Sequence, residues 1–173
     1  KRQAETQNEQ AAQIVADLTP EERVGQLFLV TFAGADTGAE SPIYELITQY
    51  HLGGVVLLAA NDNFSGTQTF ITGTIALTSA LQSVAAGDTS GQDALQTRPP
   101  STKSFIPLFI AASYEDENYP GNSLMPGLSG LTALPSAMTI GATWNTTHAQ
   151  PAGQIAGKEF SPLGINLLFG PTL

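Results

Sequence analysis

The spacing of apolar residues changes along the chain, and each change marks an element. Glu5 to about Leu18 is polar except for Ala11, Ile14, Val15 and Leu18, which predicts a helix with one apolar side. Thr19-Pro20-Glu21-Glu22 follows, an N-cap, a Pro suited to the first helical position and a Glu that closes a capping box. The short helix it starts ends near Gly25. Leu27–Phe32 is apolar without alternation, as expected for a parallel strand covered on both faces. Gly34 to Gly38 is a loop, and Ser41-Pro42 opens a helix whose buried stripe is Ile43, Leu46, Ile47 and Tyr50. Gly53-Gly54 ends it, and Val55–Leu58 is the next strand.

Asn61-Asp62-Asn63 predicts a turn. A longer helix runs from about Thr67 to Val84, with Phe70, Ile71, Leu77 and Leu81 apolar. Its many Thr and Ser residues lower helix propensity, so packing must hold it. Gly87 to Ser104 is a long polar loop, and Ile106–Ala111 is the third strand. Ser113 to Thr143 is rich in Gly, Pro, Asn and Ser and reads as loop. Asn145 caps a helix that reaches about Phe160, and Ile165–Phe169 is the fourth strand. Strands alternating with helices predict an α/β fold with a parallel sheet.

Composition narrows the function. The 173 residues suffice for one domain with a core. A net charge of −9 with only 6 Lys and Arg excludes a nucleic-acid groove and disfavours anionic membranes. The absence of Cys excludes disulfides, thiol nucleophiles and Cys-based zinc sites. No apolar run approaches the roughly 20 residues of a membrane helix, so no membrane insertion is expected. Only 12 % of residues are charged, which fits an extracellular or cell-surface protein, or one that buries surface in an assembly. The start at Lys1-Arg2-Gln3 fits a processed chain that has lost an export segment. Asn63 and Asn145 each open an Asn-x-Ser/Thr triplet. Neither a dinucleotide fingerprint nor a phosphate loop is present, and no cofactor is expected.

Five segments in order carry a family resemblance. They are Leu18–Phe28, Leu52–Leu57, Pro107–Ala111, Leu134–Thr143 and Leu163–Pro171. The chain resembles the N-terminal domain of glycoside hydrolase family 3, in particular its β-N-acetylhexosaminidase-like branch. The resemblance implies a parallel-strand TIM-barrel-like fold of (β/α)8 type, with about the first half of the barrel present. It divides the chain into a polar extension, residues 1–18, and a partial family 3 domain, residues 19–173. It implies hydrolysis of β-linked glycosides, N-acetylglucosaminides being one option, by a retaining mechanism. The family's Asp nucleophile and its acid/base come from later strands and loops, so no catalytic residue is assigned here.

One sugar-binding motif of the family falls inside the chain. After the third strand the family has Asp-x-Glu-Gly-Gly; here the stretch is Ser113-Tyr114-Glu115-Asp116-Glu117. Ser113 replaces the Asp, and Asp116 and Glu117 replace the two Gly. Ser113 and Glu115 are therefore the candidate substrate-binding residues of a degraded motif, since a neutral hydroxyl is a weaker partner for sugar hydroxyls than a carboxylate. Leu168 is a further departure, at a position where the family often has Asn.

Other residues favour structural readings. Glu115 and Glu117 could form a carboxylate pair, but an acidic solvated loop is the simpler account. His51 follows a helix end and His148 opens a helix, and neither has a metal partner by spacing. Ser136 and Thr143 lack a nucleophile elbow. Trp144 could stack on a sugar, with packing the simpler reading. No metal site is expected. Four strands do not close an eight-stranded barrel, so the edge strands Leu27–Phe32 and Ile165–Phe169 should pair with the rest of a barrel or with other copies of the chain. A self-assembling structural or filament subunit is the alternative to the enzyme domain. Carbohydrate is the expected ligand.

Overall fold

A computed structural model describes residues 2–64, 69–87, 105–113, 130–132 and 134–170. Its sheet holds β1 (Leu29–Thr31), β2 (Gly54–Leu57), β3 (Phe109–Ser113) and β4 (Leu167–Phe169). The order is β1-β2-β3-β4 and every pair is parallel. Consecutive strands that are spatial neighbours, joined by helices, form a barrel-type α/β sheet. The helices are α1 (Arg2–Asp17), α2 (Pro20–Gly25), α3 (Pro42–Tyr50), α4 (Phe70–Ala86), α5 (Ala137–Ala142) and α6 (Ala149–Phe160).

Register sorts the strand residues onto two unlike faces. Val30, Val55 and Ile110 align across three strands, as do Leu57, Ala112 and, through β4, Leu168. Val55, Leu57, Ile110 and Ala112 are fully buried and join one core with Ile43 and Ile47 of α3, Phe70, Leu77 and Leu81 of α4, and Phe160 of α6. The opposite face aligns Leu29, Gly54 and Phe109, then Thr31, Val56, Ala111 and Leu167, then Ser113 and Phe169. This second face is open at its ends and closed at its centre: Leu29 is 39 %, Phe109 55 % and Phe169 42 % exposed, while Ala111 is fully buried. The expectation that the first strand is covered on both faces is thus corrected. Leu27 and Phe28, just ahead of β1, are also exposed.

Local signals in the sequence place the helices. Thr19 Oγ1 accepts from Glu22 N at 3.2 Å while Glu22 Oε2 accepts from Thr19 N at 2.8 Å, the reciprocal capping box. Ser41 Oγ caps α3 by accepting from Tyr44 N at 3.3 Å, and Pro42 follows it. In α4 Thr74 and Thr78 sit inward and are buried, while Thr72, Ser79 and Ser83 are exposed. Thr78 Oγ1 donates to Leu163 O at 2.9 Å, tying α4 to the turn ahead of β4.

Several boundaries and facings differ from expectation. The third strand is Phe109–Ser113, shifted toward Ser113, because Pro107 has no N–H to give a ladder and Leu108 is held by a side chain. Gln82 Nε2 donates to Leu108 O at 3.0 Å, and Gln82 Oε1 accepts from Leu108 N at 3.1 Å. The segment read as loop contains α5, capped by Ser136, whose Oγ accepts from Thr139 N at 3.1 Å. Helix α1 starts earlier than Glu5 and α4 starts at Phe70 rather than Thr67. Tyr50, expected on a buried stripe, is exposed, as are Ile71 of α4 and Val15 of α1.

Candidate functional site

In a parallel barrel-type sheet, ligands meet the C-terminal ends of the strands. Here that rim is made by Phe32–Gly34 after β1, Leu58–Asn63 after β2, Ser113 at the end of β3 and Gly170 after β4.

The rim's best-defined feature is an amide clasp. A single 3-10 turn, Ala59–Asn61, leads to Asp62 in the left-handed conformation at φ 56. That bend turns Asn63 back under the sheet end, where it is 2 % exposed. Asn63 Nδ2 donates to Phe32 O at 3.0 Å and to Gly34 O at 2.6 Å, and its Oδ1 accepts from Leu58 N at 2.9 Å. Asn61 Nδ2 adds a bond to Phe32 O at 3.1 Å, and Gly34 N donates back to Asn61 O at 2.7 Å. The loops after β1 and β2 are thereby one hydrogen-bonded unit. Sequence reasoning saw Asn61-Asp62-Asn63 only as a turn; the signal for more was a pair of Asn residues directly beyond a buried strand.

Ser113 stands at the rim, paired in register with Phe169 and facing the open side of the sheet. It is half-buried. Glu115 lies outside the described residues, as do Asp116 and Glu117.

The remaining candidates have local roles. His51 is the left-handed C-cap of α3 at φ 53, at the opposite end of the sheet from the rim. Gln26 Nε2 donates to the His51 carbonyl at 2.8 Å. His148 Nε2 lies 3.3 Å from Asn145 Nδ2 on an exposed turn. Ser136 is the cap of α5, and Thr143 Oγ1 donates to Ile140 O at 2.7 Å. Trp144 corrects an expectation: it is 96 % exposed with φ 53, so it packs into no core here. Among the described residues no three His, Cys, Asp or Glu gather as a metal site, and no helix is long and apolar enough to cross a membrane.

A groove runs along the β4 edge, lined by Gly157, Phe160, Ser161, Gly164, Ile165, Asn166 and Leu168. It lies toward the start of β4, away from the rim and on the helix side of the sheet. Its position is that of a packing seam beside an edge strand, not of a substrate cleft.

Comparison with known proteins agrees with this architecture. The family described as the glycosyl hydrolase family 3 N terminal domain matches residues 19–173. Beta-hexosaminidase A of Pseudoalteromonas piscicida is 33 % identical over 132 residues, covering 75 % of this chain and 18 % of that protein. Probable beta-glucosidase E of Aspergillus clavatus is 36 % identical over 61 residues, covering 32 % of this chain and 6 % of that protein. The chain therefore spans less than a fifth of the length of either relative. No solved structure matches significantly.

Proposed function

We propose, from the premise that this chain belongs to the glycosyl hydrolase family 3 N-terminal domain family, that it forms the scaffold half of a barrel that hydrolyses β-linked glycosides outside the cell. N-acetylglucosaminides are the substrate class favoured by the hexosaminidase relative. The chain alone supplies no catalytic pair on this reading. The observation that carries it is the two-faced sheet: one face is packed to zero exposure at Val55 and Ile110, while the other offers Leu29, Phe109 and Phe169 to solvent. A closed barrel fills its interior with side chains from all its strands, so the open face matches an interior that further strands would complete. A retaining glycosidase needs two carboxyl groups about 5–5.5 Å apart. Ser113, a neutral group at the rim, is suited to hold a sugar hydroxyl but not to attack an anomeric carbon.

The test is turnover. The purified 173-residue chain, confirmed folded by circular dichroism, is given a chromogenic β-N-acetylglucosaminide. The expected rate equals that of buffer. Hydrolysis that saturates with substrate and is inhibited by N-acetylglucosamine would overturn the claim that catalysis needs residues outside this chain.

The same exposed residues favour a second reading, a subunit whose copies cover one another's open faces. Light scattering separates the two. A monomeric mass at micromolar concentration supports the barrel half, and regular high-mass assemblies support the structural subunit.

A further inference from the structure

The two Asn-x-Ser/Thr triplets look alike in sequence, but the fold makes them opposites. Asn63 is 2 % exposed, and both hydrogens of its amide nitrogen are spent on Phe32 O and Gly34 O. A glycosylated amide keeps one hydrogen. A sugar at Asn63 would therefore remove one of these bonds and force a saccharide into a buried clasp. Asn145 is exposed, and so is every residue from Gly141 to Gln150. Its Oδ1 accepts from Thr147 N at 3.1 Å and from Thr147 Oγ1 at 2.7 Å. Among the described residues its Nδ2 has one hydrogen-bond partner, His148 Nε2 at 3.3 Å across the turn. One amide hydrogen can serve that contact while the other is replaced. The side-chain bonds that cap the turn run through Oδ1, so the turn survives the change.

We propose that Asn145 is the N-glycan acceptor of this chain and that Asn63 is excluded from that role by the fold. The donor is a polyprenyl-diphosphate-linked oligosaccharide. The Asn145 amide nitrogen forms a bond to the anomeric carbon, the bond from that carbon to the phosphate oxygen breaks, the polyprenyl diphosphate leaves, and the amide gives up one proton to the transferring enzyme's base. This modification in nature rests on the extracellular reading above; the test separates the two by supplying the export signal.

The full chain is produced in a eukaryotic cell behind a cleavable heterologous leader. Glycan-bearing Asn residues are then converted to Asp by peptide N-glycosidase in heavy-oxygen water and read by peptide mass spectrometry. Three versions are compared: unaltered, Thr147→Ala, and Ser65→Ala, which removes the Asn63 triplet while leaving Asn63 in its clasp. The expected result is near-complete conversion at position 145, none at 63, loss of the glycan in Thr147→Ala and no change in Ser65→Ala. Conversion at 63 in the folded product, or an unoccupied 145, overturns the proposal. A glycan at 145 with the heterologous leader but retention inside the cell with the native gene would count against the location alone.

Discussion

Asn63 shows how far a single side chain can be misread from its neighbours. In sequence it is a turn residue and the start of a modification triplet. In the fold its amide satisfies three backbone groups, two of them 29 and 31 positions earlier in the chain. No local rule links it to Phe32 or Gly34; only the adjacency of β1 and β2 does. Asn63→Ala leaves Leu58 N and Gly34 O, both part-buried, without this partner, while Phe32 O keeps its bond from Asn61. It should lower stability by about 3 kcal/mol or more, read by urea unfolding. Thr74 presents the reverse case. Among the described residues its Oγ1 is a buried side-chain oxygen with no hydrogen-bond partner. Thr74→Val replaces that oxygen by a methyl group of similar size in an apolar core, so stability should be unchanged or rise by about 1 kcal/mol. A loss above about 1 kcal/mol would show that the hydroxyl has a partner in solution. Ser113 was read as the start of a loop after the third strand and is the last residue of β3. Glu115 was named from the same motif and lies outside the described residues.

At the level of elements, caps were readable and strand ends were not. Thr19, Ser41 and Asn145 each cap through the side-chain oxygen their sequence context implies. The third strand was placed too early because Ile106 and Leu108 look like strand residues. What decides its start is Gln82, 26 positions away on α4, which holds both backbone groups of Leu108. Asn166 does similar service for β4, accepting from Ile110 N at 2.8 Å and donating to Leu108 O at 3.0 Å. The joint between α2 and β2 depends on two glycines. A Cβ on Gly25 would lie 1.9 Å from Tyr50 O, and one on Gly53 2.1 Å from Gln26 O. Both obstacles are backbone, so neither can swing aside. Gly53→Ala should cost about 3 kcal/mol or more and drop the thermal midpoint by more than about 5 °C. An unchanged melting curve would mean that the turn after α3 is looser than described. The open facing of Tyr50 and Ile71 was not legible, since periodicity marks apolar residues but not whether a neighbouring element exists to cover them.

For the molecule as a whole, the family and the parallel α/β class were readable because five scaffold segments keep their order across most of the chain. The unequal treatment of the two sheet faces is explicit in the register and was not legible in the apolar run of the first strand. The chain contains no cysteine, so a single introduced thiol reports one position cleanly. The most direct test of the open face is the reaction rate of such thiols with a soluble maleimide, measured on monomeric protein. Phe109→Cys and Phe169→Cys, on the open face, should react within about tenfold of a free thiol; Ala112→Cys, on the helix-covered face between them, should be protected by at least about a hundredfold, in line with its burial. Equal protection at all three positions, or a fast thiol at 112, would contradict a sheet with one helix-covered and one open face.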